Sequence, residues 1–287
     1  VISLLVPLMI STQTGAIDLG GTELRYVIEG QGTPCLVIGS SVYYPRTFSK
    51  NLRKHFRLHF VDMRWFAARY QPLDLANYTI ETLVNDIETV RTRLKLDKFV
   101  LMGHSIHGTV AFEYAKRHPR HVSRLVMIGS PVVFGSPEYE KAAADAWETA
   151  SAERIRLQSD NWQHPERFTG LPQVALDYLA MAPKYWFNPR YDARWLWEGM
   201  TIQSPMIQHL YGTLFANYRM FSPGDSAPVP TFVAAGTYDY VIPLAQWKPF
   251  ATVNGLTLET FGRSGHTPQL EQPAEFDRRL LAWMKNH

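Results

Sequence analysis

The sequence predicts an α/β fold: a mainly parallel central sheet flanked by helices, with a helical segment inserted between two of its strands. Three observations predict it. Short apolar runs of strand length alternate with helical periodicity up to Pro131, which is the signature of strand–helix–strand units. From Pro131 to about Pro223 the pattern is helical only, and the alternation resumes at Val229. Finally, in Leu101-Met102-Gly103-His104-Ser105-Ile106-His107-Gly108 a single serine lies between two glycines, where a strand pattern meets a helix pattern.

Taken in order, Ala16 to Glu29 alternate as a hairpin around Gly20-Gly21. Cys35 to Ile38 form a buried strand, Arg46 to His55 a helix, and Leu58 to Val61 the next strand. Ile80, Leu83, Val84, Ile87, Val90 and Leu94 recur at three- and four-residue steps, so an amphipathic helix is expected there. Lys98 to Met102 is a strand, Thr109 to Lys116 continues as a helix, and Leu125 to Ile128 is again a strand. Prolines 165, 172, 183, 189 and 205 interrupt the inserted segment. Phe232 to Gly236 and Leu256 to Phe261 complete the set of strands.

The chain of 287 residues is long enough for one large domain with an insertion. A net charge of +3 gives no reason to expect nucleic acid or an anionic membrane surface as partner. The basic residues Arg46, Lys50, Arg53, Lys54 and Arg57 read as a solvated helix face. Cys35 is the one cysteine, so no internal disulfide forms, and its apolar strand makes it a buried, inert thiol. The apolar start, Val1 to Ile10, is too short to span a bilayer and lacks the basic flank of an export signal. A cytoplasmic setting is the default expectation; oligomeric state is left open.

Ser105 is the expected nucleophile. A serine on a sharp strand-to-helix turn holds its hydroxyl clear of the backbone, beside the free N–H groups of a helix start. Downstream, Gly236-Thr237-Tyr238-Asp239-Tyr240-Val241-Ile242-Pro243 sets an acid after a buried strand, and Gly262-Arg263-Ser264-Gly265-His266 sets a histidine after the next. With these residues in the order Ser105, Asp239, His266, the chain resembles the α/β-hydrolase superfamily. The resemblance implies acyl transfer through a covalent intermediate, with His266 as base and Asp239 orienting it. It implies an oxyanion hole made by the N–H of Ile106 and that of Ser40 or Ser41. Residues 131–223 would form a lid over a core of residues 1–130 and 224–287, with Trp65, His107, Trp186 and Tyr240 around the substrate.

The chain departs from family pattern in three places. Ile38-Gly39-Ser40-Ser41 stands where many relatives carry His-Gly. His107 stands where a glycine is expected, because helix and strand crowd there; an imidazole either widens that contact or points into a gap left by smaller neighbours. A packed, hydrogen-bonded histidine is the plainer reading, and a side chain that tunes the pocket or the Ser105 environment is the other. Trp65-Phe66 replaces a flexible glycine-containing turn and is expected to narrow the entrance. No phosphate-cradling glycine loop or metal-binding pattern occurs, so no cofactor or metal is expected. His104 and His107 lie roughly 15 Å from His118 and His121 along a helix rising about 1.5 Å per residue. The resemblance implies a small-molecule substrate, with an ester or lactone of an apolar acid first. A proline-iminopeptidase-like aminopeptidase is the second reading, using Glu138, Glu140, Glu148 or Glu198 for an ammonium group. A non-hydrolytic ligand-binding or lyase member is the third.

Overall fold

The computed structural model describes residues 12–71 and 74–287; the apolar start and its expected lack of an export signal lie outside the described residues. The hairpin is formed by β1 (Gln13–Asp18) and β2 (Glu23–Gly30). β3 (Thr33–Gly39), β4 (Phe56–Asp62), β5 (Phe99–His104) and β6 (Val122–Ile128) follow. A two-residue pair, β7 (Val133–Phe134) and β8 (Tyr218–Arg219), stands apart from them. β9 (Thr231–Gly236) and β10 (Leu256–Phe261) complete an eight-stranded sheet in the order β1-β2-β4-β3-β5-β6-β9-β10. β1, β2 and β4 meet antiparallel, and every other neighbour in that sheet is parallel. β5 and β9 are buried along their whole length, as expected of parallel strands covered on both faces.

α1 (Ile80–Arg93) starts at a capping box in which Thr79 and Thr82 exchange side-chain bonds to backbone N–H groups, and it buries the predicted stripe of Leu83, Val84, Ile87 and Val90. α2 (Ile106–Arg117) begins directly at the serine turn and is buried from Ile106 to Ala115. Between β6 and β9 the chain forms α3 (Pro137–Glu148), α4 (Ala152–Gln163), α5 (Gln173–Ala180), α6 (Ala182–Tyr185), α7 (Arg194–Trp197) and α8 (Ser204–His209). Several prolines mark helix starts rather than breaks: Pro137, Pro183 and Pro205 occupy first-turn positions, where the missing N–H costs nothing. The β7–β8 pair, absent from the sequence reading, ties the two ends of this segment together. α9 (Pro268–Glu271) and α10 (Pro273–Asn286) close the chain.

The expected helix over Arg46 to His55 is instead two short 3₁₀ turns, Tyr44–Arg46 and Leu52–Lys54. Arg53 explains the difference. Its buried guanidinium donates to the carbonyls of Pro45, Phe48 and Ser49 and to the Glu29 carboxylate, so those carbonyls face a side chain rather than helical N–H groups. Arg53 is therefore not on a solvated face. Cys35 is fully buried, and burial pushes its thiol pKa up. Among the described residues no helix is long and apolar enough to cross a membrane.

Candidate active site

The carboxyl ends of β3, β5, β9 and β10 converge, and each hands a loop to one site. Ser105 occupies the turn from β5 to α2 with φ 56° and ψ −135°, a backbone conformation that side chains other than glycine rarely adopt. Its N–H donates to the Ile128 carbonyl at 2.8 Å, which holds the turn against β6. Space is tight at Gly103 and Gly108: a Cβ at the first would collide with the His107 carbonyl, and at the second with the Ser130 side chain. Crowding thus falls on those two positions and not on residue 107.

Asp239 and His266 are brought together across the ends of β9 and β10. His266 Nδ1 lies 2.6 Å from Asp239 Oδ2, and both side chains are buried. A carboxylate accepts only, so it is Nδ1 that carries a proton in this contact. The other Asp239 oxygen accepts the N–H groups of Val241 at 3.0 Å and Ile242 at 2.8 Å, which fixes the carboxylate plane. The His266 N–H donates to the Tyr185 carbonyl at 2.6 Å, joining the histidine loop to α6.

The first-turn N–H of Ile106 has no acceptor within its helix. Of the two candidate partners after β3, Ser41 is unsuitable. Its N–H donates to Asp62 Oδ1 at 2.6 Å, and it does not line the cavity. Ser40 does line it; the Ser40 hydroxyl accepts the N–H groups of Val42 and Tyr43, which curls the loop around it. Ser105, Ile106, Ser40 and His266 all border one cavity of about 750 Å³, open solvent included. A second cavity of about 490 Å³, bordered by Pro131, Phe134, Tyr139, Val241 and Ile242, meets the first at Ser105, Ile106, Tyr178, Tyr185 and Tyr211.

A profile described as alpha/beta hydrolase fold matches residues 37–273 of the sequence. The chain belongs to the α/β-hydrolase fold family. It is 32% identical over 280 residues to the AB hydrolase superfamily protein YclE of Bacillus subtilis (strain 168), covering 95% of this chain and 99% of that one. Among solved structures, an alpha/beta fold family hydrolase from Bacillus anthracis str. Sterne superposes with a TM-score of 0.69 at 17% identity, over 95% of this chain and 99% of that chain. The carboxylesterase CesB (YbfK) from Bacillus subtilis superposes with a TM-score of 0.61 at 18% identity, over 97% and 93%. At such identities the two structures show the fold alone.

Three of the side chains expected around the substrate of this α/β-hydrolase, Trp65, His107 and Trp186, line the first cavity. Trp65 is completely buried, so it is part of the wall rather than a narrowed entrance. Tyr240 is a correction: it borders neither cavity. The Asp239 turn places its ring against Trp147 and 5.1 Å from the Arg154 guanidinium, while its N–H donates to the Lys184 carbonyl. Glu138, Glu140, Glu148 and Glu198 border neither cavity either, and Glu138 pairs with Arg219.

Sequence reasoning missed several residues of the site. Tyr43 and Tyr44 line it directly after Ser40-Ser41, in the span read as a loop leading into a helix. Glu271 accepts the N–H groups of Gly265 at 2.9 Å and Thr267 at 3.1 Å on one oxygen, and that of Phe187 at 2.7 Å on the other. It thereby brackets His266 on both sides. Burial raises the Glu271 pKa, and the three N–H groups oppose that rise. Arg154, nominated by no motif, is buried and donates to the carbonyls of Pro183, Trp186 and Phe187; burial pushes its pKa down.

Proposed function

We propose that the protein is a serine hydrolase of carboxylic esters or lactones with an apolar acyl group. Ser105 Oγ attacks the carbonyl carbon while His266 Nε2 takes its proton. The oxyanion is met by the N–H groups of Ile106 and Ser40, and His266 then protonates the leaving oxygen. Water, deprotonated by the same imidazole, cleaves the acyl-enzyme and regenerates Ser105. Asp239 holds the imidazole in the tautomer this requires. Residues 131–223 act as the lid, supplying Tyr178, Tyr185, Trp186, Trp197 and Tyr211 to the cavity wall.

The observation that carries this reading is the lining itself. Neither cavity meeting at Ser105 is bordered by any Asp, Glu, Lys or Arg among the described residues. An aminopeptidase must hold a substrate ammonium, and an unpaired cation in an apolar site is strongly disfavoured. A neutral ester or lactone meets no such cost. That supports the ester reading over the peptidase one.

The test begins with a fluorophosphonate probe and peptide mapping: rapid labelling of Ser105, abolished in Ser105→Ala, is expected. An unlabelled wild type rejects the activated nucleophile and favours a non-hydrolytic member of the fold. p-Nitrophenyl esters of short and long acids, a lactone and a prolyl-arylamide are then compared by kcat/KM. Turnover of the arylamide alone rejects the ester reading.

A further inference from the structure

Three departures from family pattern, distant in sequence, meet in one place. Trp65 Nε1 donates to His107 Nε2 at 3.1 Å, with the two rings stacked at an interplanar angle of 25°. An indole nitrogen only donates. Nε2 of His107 therefore holds a lone pair, and its proton is on Nδ1. That proton faces the Tyr44 hydroxyl at 2.9 Å and the His104 carbonyl at 3.1 Å. At the other end, His104 Nε2 lies 2.9 Å from the His266 carbonyl, which only accepts, so Nε2 carries the proton and Nδ1 is free to accept. The Tyr44 hydroxyl is 3.4 Å from that Nδ1, the loosest contact of the series.

We infer that Trp65, His107, Tyr44 and His104 form a one-directional hydrogen-bond chain that positions the oxyanion loop and the nucleophile turn relative to the His266 loop. The inference rests on the hydrolase reading above and deepens it. Tyr44 belongs to the Ser40 loop, its N–H donating to the Ser40 carbonyl at 3.3 Å. His104 and His107 flank Ser105, and the terminal acceptor is the backbone of His266. A side chain at residue 107 fits because Gly39 is opposite: a Cβ there would lie 3.2 Å from His107 Cδ2 and would collide with the Tyr44 ring. Burial keeps both imidazoles neutral, His107 with a pKa lowered to about 4 and His104 well below its usual range. All four border the first cavity, and the role inferred for them is positional, exerted through the loops they hold.

The experiment combines ring-nitrogen NMR with kinetics on the full-length protein. In ¹⁵N-histidine-labelled wild type, His107 is expected protonated on Nδ1 and His104 on Nε2; the opposite pattern at either ring overturns the chain. Trp65→Phe keeps the stacked ring but removes the donor, and is expected to release His107 into a mixture of tautomers. Tyr44→Phe removes only the central hydroxyl, and a displacement of the loop is expected to lower kcat about tenfold with KM within about twofold. Thermal unfolding of both variants shows whether they are folded. A folded Tyr44→Phe with wild-type kcat overturns the positioning role. A wild type inert toward every ester rejects the hydrolase reading instead, and the ring-nitrogen pattern, which needs no substrate, still decides the chain.

Discussion

The two halves of the site are held in opposite ways. On the acid–histidine side, carboxylates do the holding: Asp239 accepts two N–H groups besides the imidazole, and Glu271 accepts three around His266. On the serine side, neutral rings and a hydroxyl are linked end to end, with no ion among them. Charged acceptors bind backbone N–H groups about twice as strongly as neutral ones, but their desolvation must be offset by several partners. Neutral rings cost less to bury and depend on each tautomer being correct. On the hydrolase reading proposed above, charge anchors the imidazole that would take up a proton during turnover, while neutral links surround the Ser105 turn.

The largest break in this contrast is Asp239→Asn. It leaves the loop geometry but offers His266 the wrong hydrogen-bond partner, and kcat is expected to fall by about 10³–10⁴, read by steady-state ester hydrolysis. Acid should break the serine side next. His107 has a folded pKa of about 4, below its unfolded value, so its contribution to stability is complete above the unfolded pKa and is lost as pH falls toward 4. The loss is on the order of 3 kcal/mol. Urea denaturation at successive pH values should show this slope in wild type and a shallower one in His107→Gln; equal slopes would mean the ring is not buried neutral.

Glu271→Gln sharpens the acid side. It sets an amide N–H against either the Phe187 N–H or those of Gly265 and Thr267, and unfolding should become easier by about 1–3 kcal/mol at neutral pH. No loss in a denaturant titration would show that the bracket around His266 is not under this carboxylate's control. The smallest effect is expected at Tyr240→Phe. Its ring packs on Trp147 and Arg154 outside both cavities, so kcat/KM for any ester should stay within about twofold, the scale of surface changes away from such features.

Much of the scaffold was legible because its signals are local. β3, β5 and β9 are short apolar runs bounded by turn residues, and α1 carries its stripe at helical spacing. Ser105, Asp239 and His266 stand out because each follows a strand in a short, small-residue context. What was not legible is long-range. Ser40 and Ser41 are equivalent in sequence; the Asp62 carboxylate, 21 residues on, takes the Ser41 N–H, and folding brings Ser40 to the cavity. His107 could be read as a packed, hydrogen-bonded imidazole, but its partners Tyr44 and Trp65 are 63 and 42 residues away. The helix expected over Arg46 to His55 failed because helical periodicity carries no sign that Arg53 would turn inward onto carbonyls. Tyr240 was misplaced because adjacency along the chain to Asp239 does not give proximity to the cavity.

The β7–β8 pair carries a consequence beyond this site. Val133 faces Arg219 and Phe134 faces Tyr218, so a segment of more than eighty residues leaves and rejoins the sheet domain through a stem only two rungs long. Partners across such a ladder are separated by about 5 Å. The stem is short, but the segment it carries also holds the His266 loop, through the Tyr185 carbonyl and the Phe187 N–H that meets Glu271. A graft of another segment onto this stem would have to supply both of those contacts again.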